Sequence, residues 1–181
     1  MIQVEKVIGV RSADLVGLFW TNFTIYWVWT LARILIDPHI PASWLNPDRW
    51  PFRSFSWEAG GDYYRRVWHI EAWKGRLPAF TGGTHFSKRA LTSADPDYLN
   101  QFIVETCRGE SNHVRAIGSV VVMKLWTPTA LWVFMLAIAV AGNLPFIAIQ
   151  RYNRPRLRRT LELTGHRAML RGAGGLQAES A

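Results

Sequence analysis

Asp95-Pro-Asp-Tyr-Leu-Asn-Gln-Phe-Ile-Val-Glu105-Thr-Cys-Arg108-Gly-Glu110-Ser-Asn-His113 runs directly into an apolar stretch, Val114 to Trp126. Asp95 is a good helix N-cap and Pro96 suits the first helical position, where no backbone N–H is required. The reading is one long helix that begins in water and ends in lipid, with its charged cluster at the boundary. At about 100° per residue, Arg108, Asn112 and Arg115 fall on one stripe beside Glu105. His113 points between Glu105 and Glu110, and Glu110 is its i,i+3 neighbour. A base, carboxylates to orient it and a cation within a few turns suit acid–base chemistry or anion binding. The same pattern is also what a solvated helix end with ordinary ion pairs presents.

Moving outward, the apolar residues come in blocks. They make up 49% of the 181 residues, with ten Trp, which points to an all-α integral membrane protein of a single domain. Ala13 to Ile36 is long enough to cross about 30 Å of hydrocarbon, and Asp14 and Arg33 lie near its ends, where they can reach the interface. Asp37-Pro38 ends this span. Thr129 to Gln150 forms another, after a tight Thr127-Pro128 turn. Residues 112–126 complete about three transmembrane helices (13–36, 112–126, 129–150), with Arg115 and Lys124 snorkelling. Pro145 should kink the last span. Asn143, polar at membrane depth, should face protein rather than lipid.

Between the first span and the central helix the chain is interfacial. Residues 41–57 hold Trp44, Trp50 and Trp57 among Arg49 and Arg53, which fits a loop in the headgroup region; a sugar-stacking surface is the alternative. After Gly60-Gly61, residues 62–74 read as one short amphipathic helix with Tyr64, Val67, Trp68 and Ala72 on a face. His69 and Glu71, at i,i+2, do not share a helical face as metal ligands would. Gly75 to Ser87 reads as loop, with His85 near the basic pair Lys88-Arg89. No metal-ligand spacing appears, and no cofactor is expected. Residues 172–181 read as a disordered tail.

Charge sets the expected topology. The formal net charge is +8. Nine Lys/Arg lie between 37 and 112 and seven between 151 and 181, against two in residues 1–12 and none in the Thr127-Pro128 turn. The positive-inside rule puts residues 37–112, the interfacial segment included, and the C-terminal tail in the cytoplasm, with the N-terminus outside a multi-pass cell-membrane protein. Basic residues beside apolar spans suit anionic lipid or an anionic substrate. Without a nucleic-acid motif they give no reason to expect a nucleic-acid partner. The single cysteine, Cys107, excludes an intramolecular disulfide framework and a Cys-based zinc site.

Glu105-Thr-Cys-Arg108-x-Glu110-x-x-His113, the pair Trp73-Lys74, Ala141-Gly-Asn143-Leu-Pro145 and Gln150-Arg-Tyr-Asn-Arg-Pro-Arg-Leu157 together resemble the glycosyl-4,4'-diaponeurosporenoate acyltransferases of carotenoid biosynthesis. The resemblance covers roughly residues 13–165. It implies a membrane enzyme that moves a fatty acyl chain from acyl-CoA or acyl carrier protein onto the glucose 6-hydroxyl of a glycosyl C30 carotenoid acid, the last step of a staphyloxanthin-type pathway. It also implies site residues. His113 would be the base, and Glu110, or else Glu105, would orient it. Arg108 and Asn112 would face the oxyanion, and Arg151, Arg154 and Arg156 would hold donor phosphates. Asn143, Tyr152, Asn153, Trp73 and Lys74 join the substrate-binding set. The family pattern does not require a Cys at Cys107 or a His at His69, which argues against a thioester on Cys107. Two other functions stay open at this level: acylation of a different glycolipid, and a non-catalytic membrane scaffold.

Overall fold

The computed structural model describes residues 12–77 and 95–179, with side chains at 14–77 and 95–166. The expectations for residues 1–11, and for the stretch containing His85, Lys88 and Arg89, lie outside the described residues. Among the described residues every regular element is helical. Helix α1 spans Ser12–Ile36, α2 Asp62–Arg66, α3 Ile70–Trp73, α4 Pro96–Val122 and α5 Thr129–Glu179. Short 3-10 turns occupy Asp37–His39, Ala42–Trp44, Ser56–Gly61, Lys74–Arg76 and Met123–Leu125.

The α4 boundary is as the sequence predicts. Asp95 caps the helix by accepting from the Asp97 backbone N–H at 3.2 Å, and Pro96 opens it. Helix α4 gives way to the 3-10 turn Met123–Leu125, and the chain reverses at Thr127-Pro128 into α5. The two long helices are antiparallel neighbours. Leu99, Phe102 and Ile103 of α4 cluster with Leu157 at one end, while Val120 and Met123 cluster with Met135 and Ala139 at the other. Gly109 permits close packing between them, since a Cβ there would lie 3.1 Å from the Gln150 side chain. Helix α5 continues through Pro145 and Pro155, and on to Glu179 through residues that composition alone reads as a disordered tail.

Helix α1 lies against the apolar half of this hairpin. Phe19 and Tyr26 pack on the Val120–Met135 cluster, and buried Asn22 donates to Thr127 Oγ1 at 2.9 Å while accepting from the Trp126 indole at 2.8 Å. The segment after α1 wraps the polar half: Leu45 and Phe52 pack on Cys107, and Tyr64 and Ile70 pack on Ala148 and Tyr152. Helices α1 and α5 are long and apolar enough to cross a membrane. Only 6% of the α1 window is buried, so it is not the core helix of a soluble protein. Its exposed residues include Trp20, Trp27, Trp29, Leu31 and Leu35, a surface suited to lipid. Among the described residues the protein is all-helical, and these two helices point to membrane association.

One local expectation is corrected, and two cations gain protein partners. Residues 62–74 form two short helices, broken where His69 takes a left-handed conformation (φ 46°). A continuous helix would turn Tyr64 and Ile70 about 120° apart; the break lets both reach the same face of α5 and leaves Val67 59% exposed. Arg33 is buried within the protein and donates to Asn112 Oδ1 at 2.5 Å. Arg115 is paired with Asp37 at 2.6 Å, at the end of α1.

The Gly60-Gly61 break has a steric basis. Gly61 holds φ +100°, and a Cβ there would stand 3.2 Å from the Tyr152 carbonyl oxygen. Gly61→Ala is therefore expected to lower stability by at least about 1 kcal/mol. Thermal unfolding in detergent checks this, and an unchanged midpoint would count against the packing described here.

Candidate active site

The residues singled out from the sequence gather around the middle of the α4–α5 pair, but in different pairings from those expected. His113 lies at the level where α4 passes Asn143 and Phe146 of α5. Its Nδ1 is 2.9 Å from Asn143 Oδ1, and its ring stacks on Phe146 with centroids 4.7 Å apart and planes 9° from parallel. Asn143 is buried, as expected for a polar group at membrane depth, and its Nδ2 donates to the Ala139 carbonyl at 2.8 Å and towards the Tyr26 hydroxyl at 3.3 Å. Because that amide nitrogen already serves two oxygens, Oδ1 is the atom that meets the imidazole. An oxygen partner requires Nδ1 to carry the proton, and in the neutral ring Nε2 then holds the lone pair, the form a general base needs.

Glu110 does not act as the orienting carboxylate. It is 4% exposed, and its two oxygens accept from Arg151 Nη1 and, at 2.5 Å, from Arg154 Nη2. Arg151 also binds Glu58 Oε1 at 2.6 Å and the carbonyls of Pro51 and Arg53. Arg154, 2% exposed, adds Thr106 Oγ1 at 3.0 Å and the Phe52 carbonyl. Two carboxylates and two guanidiniums thus form a neutral buried box that ties α4, α5 and the 51–58 loop together. Its members satisfy one another, as buried charges require. Neither Arg151 nor Arg154 is presented to a phosphate, so the expectation that they grip a donor does not match their burial. Glu58 is the member that sequence reasoning missed. The one available signal was a lone carboxylate in an aromatic loop. Its neighbour Tyr64 donates to it at 2.7 Å, and burial followed by the adjacent carboxylate pushes that phenol well up.

Glu105 and Arg108 pair at 2.9 Å, as their spacing suggests. Arg108 Nη1 also binds the carbonyls of Asp37 (2.5 Å) and Ile40 (2.9 Å), so this cation fastens the end of α1 to α4. Asn112 does the same through Arg33, by its side chain and its carbonyl. Cys107 is fully buried and burial pushes its thiol up, away from nucleophilic form.

Within the eight-residue stretch Gln150–Leu157, Tyr152 and Arg156 turn toward the small helices. The Tyr152 ring is buried and its hydroxyl donates to Glu71, which holds the Glu71 carboxyl below its ordinary range. Arg156 reaches Glu71 at 3.2 Å and the Tyr152 hydroxyl, with its side chain about half exposed. Asn153 is half-buried on α5. Lys74 lies over the Tyr152 ring at 4.6 Å, with its pKa lowered by burial and then by Arg156. The Trp73 indole donates to the Trp68 carbonyl at 2.8 Å. Trp44 and Trp50, at 75% and 76% exposure, stand out from the loop. Among the described residues no three His, Cys, Asp or Glu side chains form a metal-holding group.

Comparison with known proteins bears on the family of the chain. A family model described as glycosyl-4,4'-diaponeurosporenoate acyltransferase matches residues 41–163, which hold the ion-pair box, His113 and Asn143. Two curated relatives from Staphylococcus aureus strains, both named glycosyl-4,4'-diaponeurosporenoate acyltransferase, are 26% identical over 147 residues, covering 80% of this chain and 88% of each relative. No solved structure matches significantly. With a family model matched over most of its length, the chain belongs to the glycosyl-4,4'-diaponeurosporenoate acyltransferase family and is an acyltransferase.

Proposed function

We propose that this enzyme transfers a fatty acyl group from a thioester donor, acyl-CoA or acyl carrier protein, to the glucose 6-hydroxyl of a glycosyl C30 carotenoid acid. Family membership supports the reaction class, and the oriented imidazole of His113 is the observation that carries the mechanism. His113 Nε2 takes the proton as the sugar oxygen attacks the acyl carbonyl. The tetrahedral adduct collapses, the carbon–sulfur bond breaks, and the imidazolium returns the proton to the departing thiolate. Asn143 holds the productive tautomer throughout. Arg108 and Asn112 keep the end of α1 beside the imidazole. Arg156 is the octapeptide arginine best exposed to donor phosphates.

The site then belongs at the cytoplasmic membrane face of one acyltransferase domain, residues 1–171. In this reading residues 13–36, 112–126 and 129–150 cross the bilayer, the N-terminus is outside, and residues 37–112 and the C-terminal segment are inside. Trp44, Trp50 and Trp57 sit at headgroup level. Neither the acyl chain nor the polyene need leave lipid for the reaction to occur.

Substrate choice is tested by offering isolated membranes labelled acyl-CoA with glucosyl-diaponeurosporenoate or with a glucosyl diacylglycerol. Faster acylation of the carotenoid glycoside is expected, and preference for the diglyceride would replace the acceptor. The role of Asn143 is tested by Asn143→Leu, which should lower kcat while adding nothing to His113→Ala in the double variant, because groups acting as a unit are not additive. Independent, additive losses would separate Asn143 from the base.

A further inference from the structure

Helix α4 has a second feature on the side away from His113. A groove of about 410 Å³ runs between α1 and α4, walled by Ile25, Trp29, Gly118, Val122 and Trp126, with Arg115 its only charged lining residue. From Arg115 to Trp126 the helix rises about 16 Å, roughly half the ~30 Å hydrocarbon core of a bilayer. That is about the reach of one acyl chain. At Gly118 the groove is open, since a Cβ there would meet nothing within 4 Å.

The charged end carries its own signal. Arg33 and Asp37 are both more than nine-tenths buried, yet Arg33 Nε and Asp37 Oδ2 have no hydrogen-bond partner. Arg115 pairs with the other Asp37 oxygen at 2.6 Å. Arg33 and Arg115 against Asp37 leave one net positive charge beside an apolar slot, which complements a single phosphodiester attached to a hydrocarbon chain. Two residues separate Arg115 from His113, about 200° around the helix. A ligand in the groove therefore lies across α4 from the imidazole and is not the chain being transferred.

We infer that the α1–α4 groove is a binding site for an anionic membrane phospholipid, with one acyl chain along Gly118 and Val122 and its phosphate at Arg115. The site is independent of which acceptor the enzyme acylates. It would fill the gap between α1 and α4 and add a lipid to the contacts that hold α1 in place.

The test uses the full chain in vesicles of equal phosphatidylglycerol and phosphatidylcholine, each spin-labelled in turn, reading the motionally restricted fraction. Wild type should retain phosphatidylglycerol in preference to phosphatidylcholine. Arg115→Gln should reduce that preference by about fivefold, the worth of one basic residue at a charged lipid surface. Gly118→Leu, whose Cβ meets open space, should abolish the restricted component and leave the acyl-chain profile of the transfer product unchanged. Gly142→Leu, at another glycine with open space, should leave lipid retention as in wild type. Undiminished phosphatidylglycerol retention in Gly118→Leu would overturn the inference. So would a changed chain-length profile of the product, which would assign the groove to the transferred chain.

Discussion

Glu110→Ala is expected to destabilise the protein by about 3–5 kcal/mol, the range for removing one partner from a buried ion pair. The magnitude follows from what remains. Arg151 and Arg154 each lose a carboxylate oxygen while staying buried between α4, α5 and the loop. Glu58 can still serve Arg151, but Arg154 keeps only Thr106 and the Phe52 carbonyl. Arg154 is only 2% exposed, so water does little to compensate its charge. Glu110→Gln keeps the shape and one acceptor oxygen and should lose less. Chemical or thermal unfolding in detergent gives the comparison. A Glu110→Ala protein as stable as wild type would mean that the box does not hold the two helices together.

His113→Ala is expected to reduce acyl transfer by about a hundredfold to ten-thousandfold, the usual worth of a positioned general base. Its stability cost should be small by comparison. The imidazole is only half-buried and its neighbours Asn143 and Phe146 keep other contacts, among them Asn143 with Ala139. Expression and unfolding midpoint near wild type, with activity gone, separate this residue from Glu110. Full activity in His113→Ala would remove it from the mechanism.

The contrast between these two residues shows where local sequence ends as a guide. Glu110 and His113 stand three apart on one helix, and that spacing offers a carboxylate–imidazole pair. Two guanidiniums arriving from α5, 41 and 44 residues later, compete for the same carboxylate and bind it more strongly than a neutral ring can. The imidazole is left to an amide 30 residues away. Neither outcome is written in the spacing. Glu58 is 93 residues from Arg151 and was invisible for the same reason.

Features set by local chemistry were legible. Asp95-Pro96 opens α4 where capping rules place it, Asp37-Pro38 follows the end of α1, and the apolar density of α1 and α5 announces both long helices. The 62–74 segment misleads for a definable reason. Its apolar residues are spaced well enough for one helix, but Tyr64 and Ile70 must both meet α5, and only a break at His69 allows that. Arg33 and Arg115 look like interfacial cations in a linear reading. Folding brings α1 against α4, and each also finds a partner within the protein.

The account stands most directly on the identity of the product. Isolated membranes containing the wild-type chain would be given isotopically labelled acyl-CoA and glucosyl-diaponeurosporenoate, and the lipid product fragmented in a mass spectrometer to locate the new ester. The account predicts a product of acyl-plus-glycoside mass with the label on the glucose 6-oxygen. An ester at another hydroxyl would contradict the proposed regiochemistry, and no acylated glycoside with either acyl-CoA or acyl carrier protein as donor would contradict the proposed reaction itself.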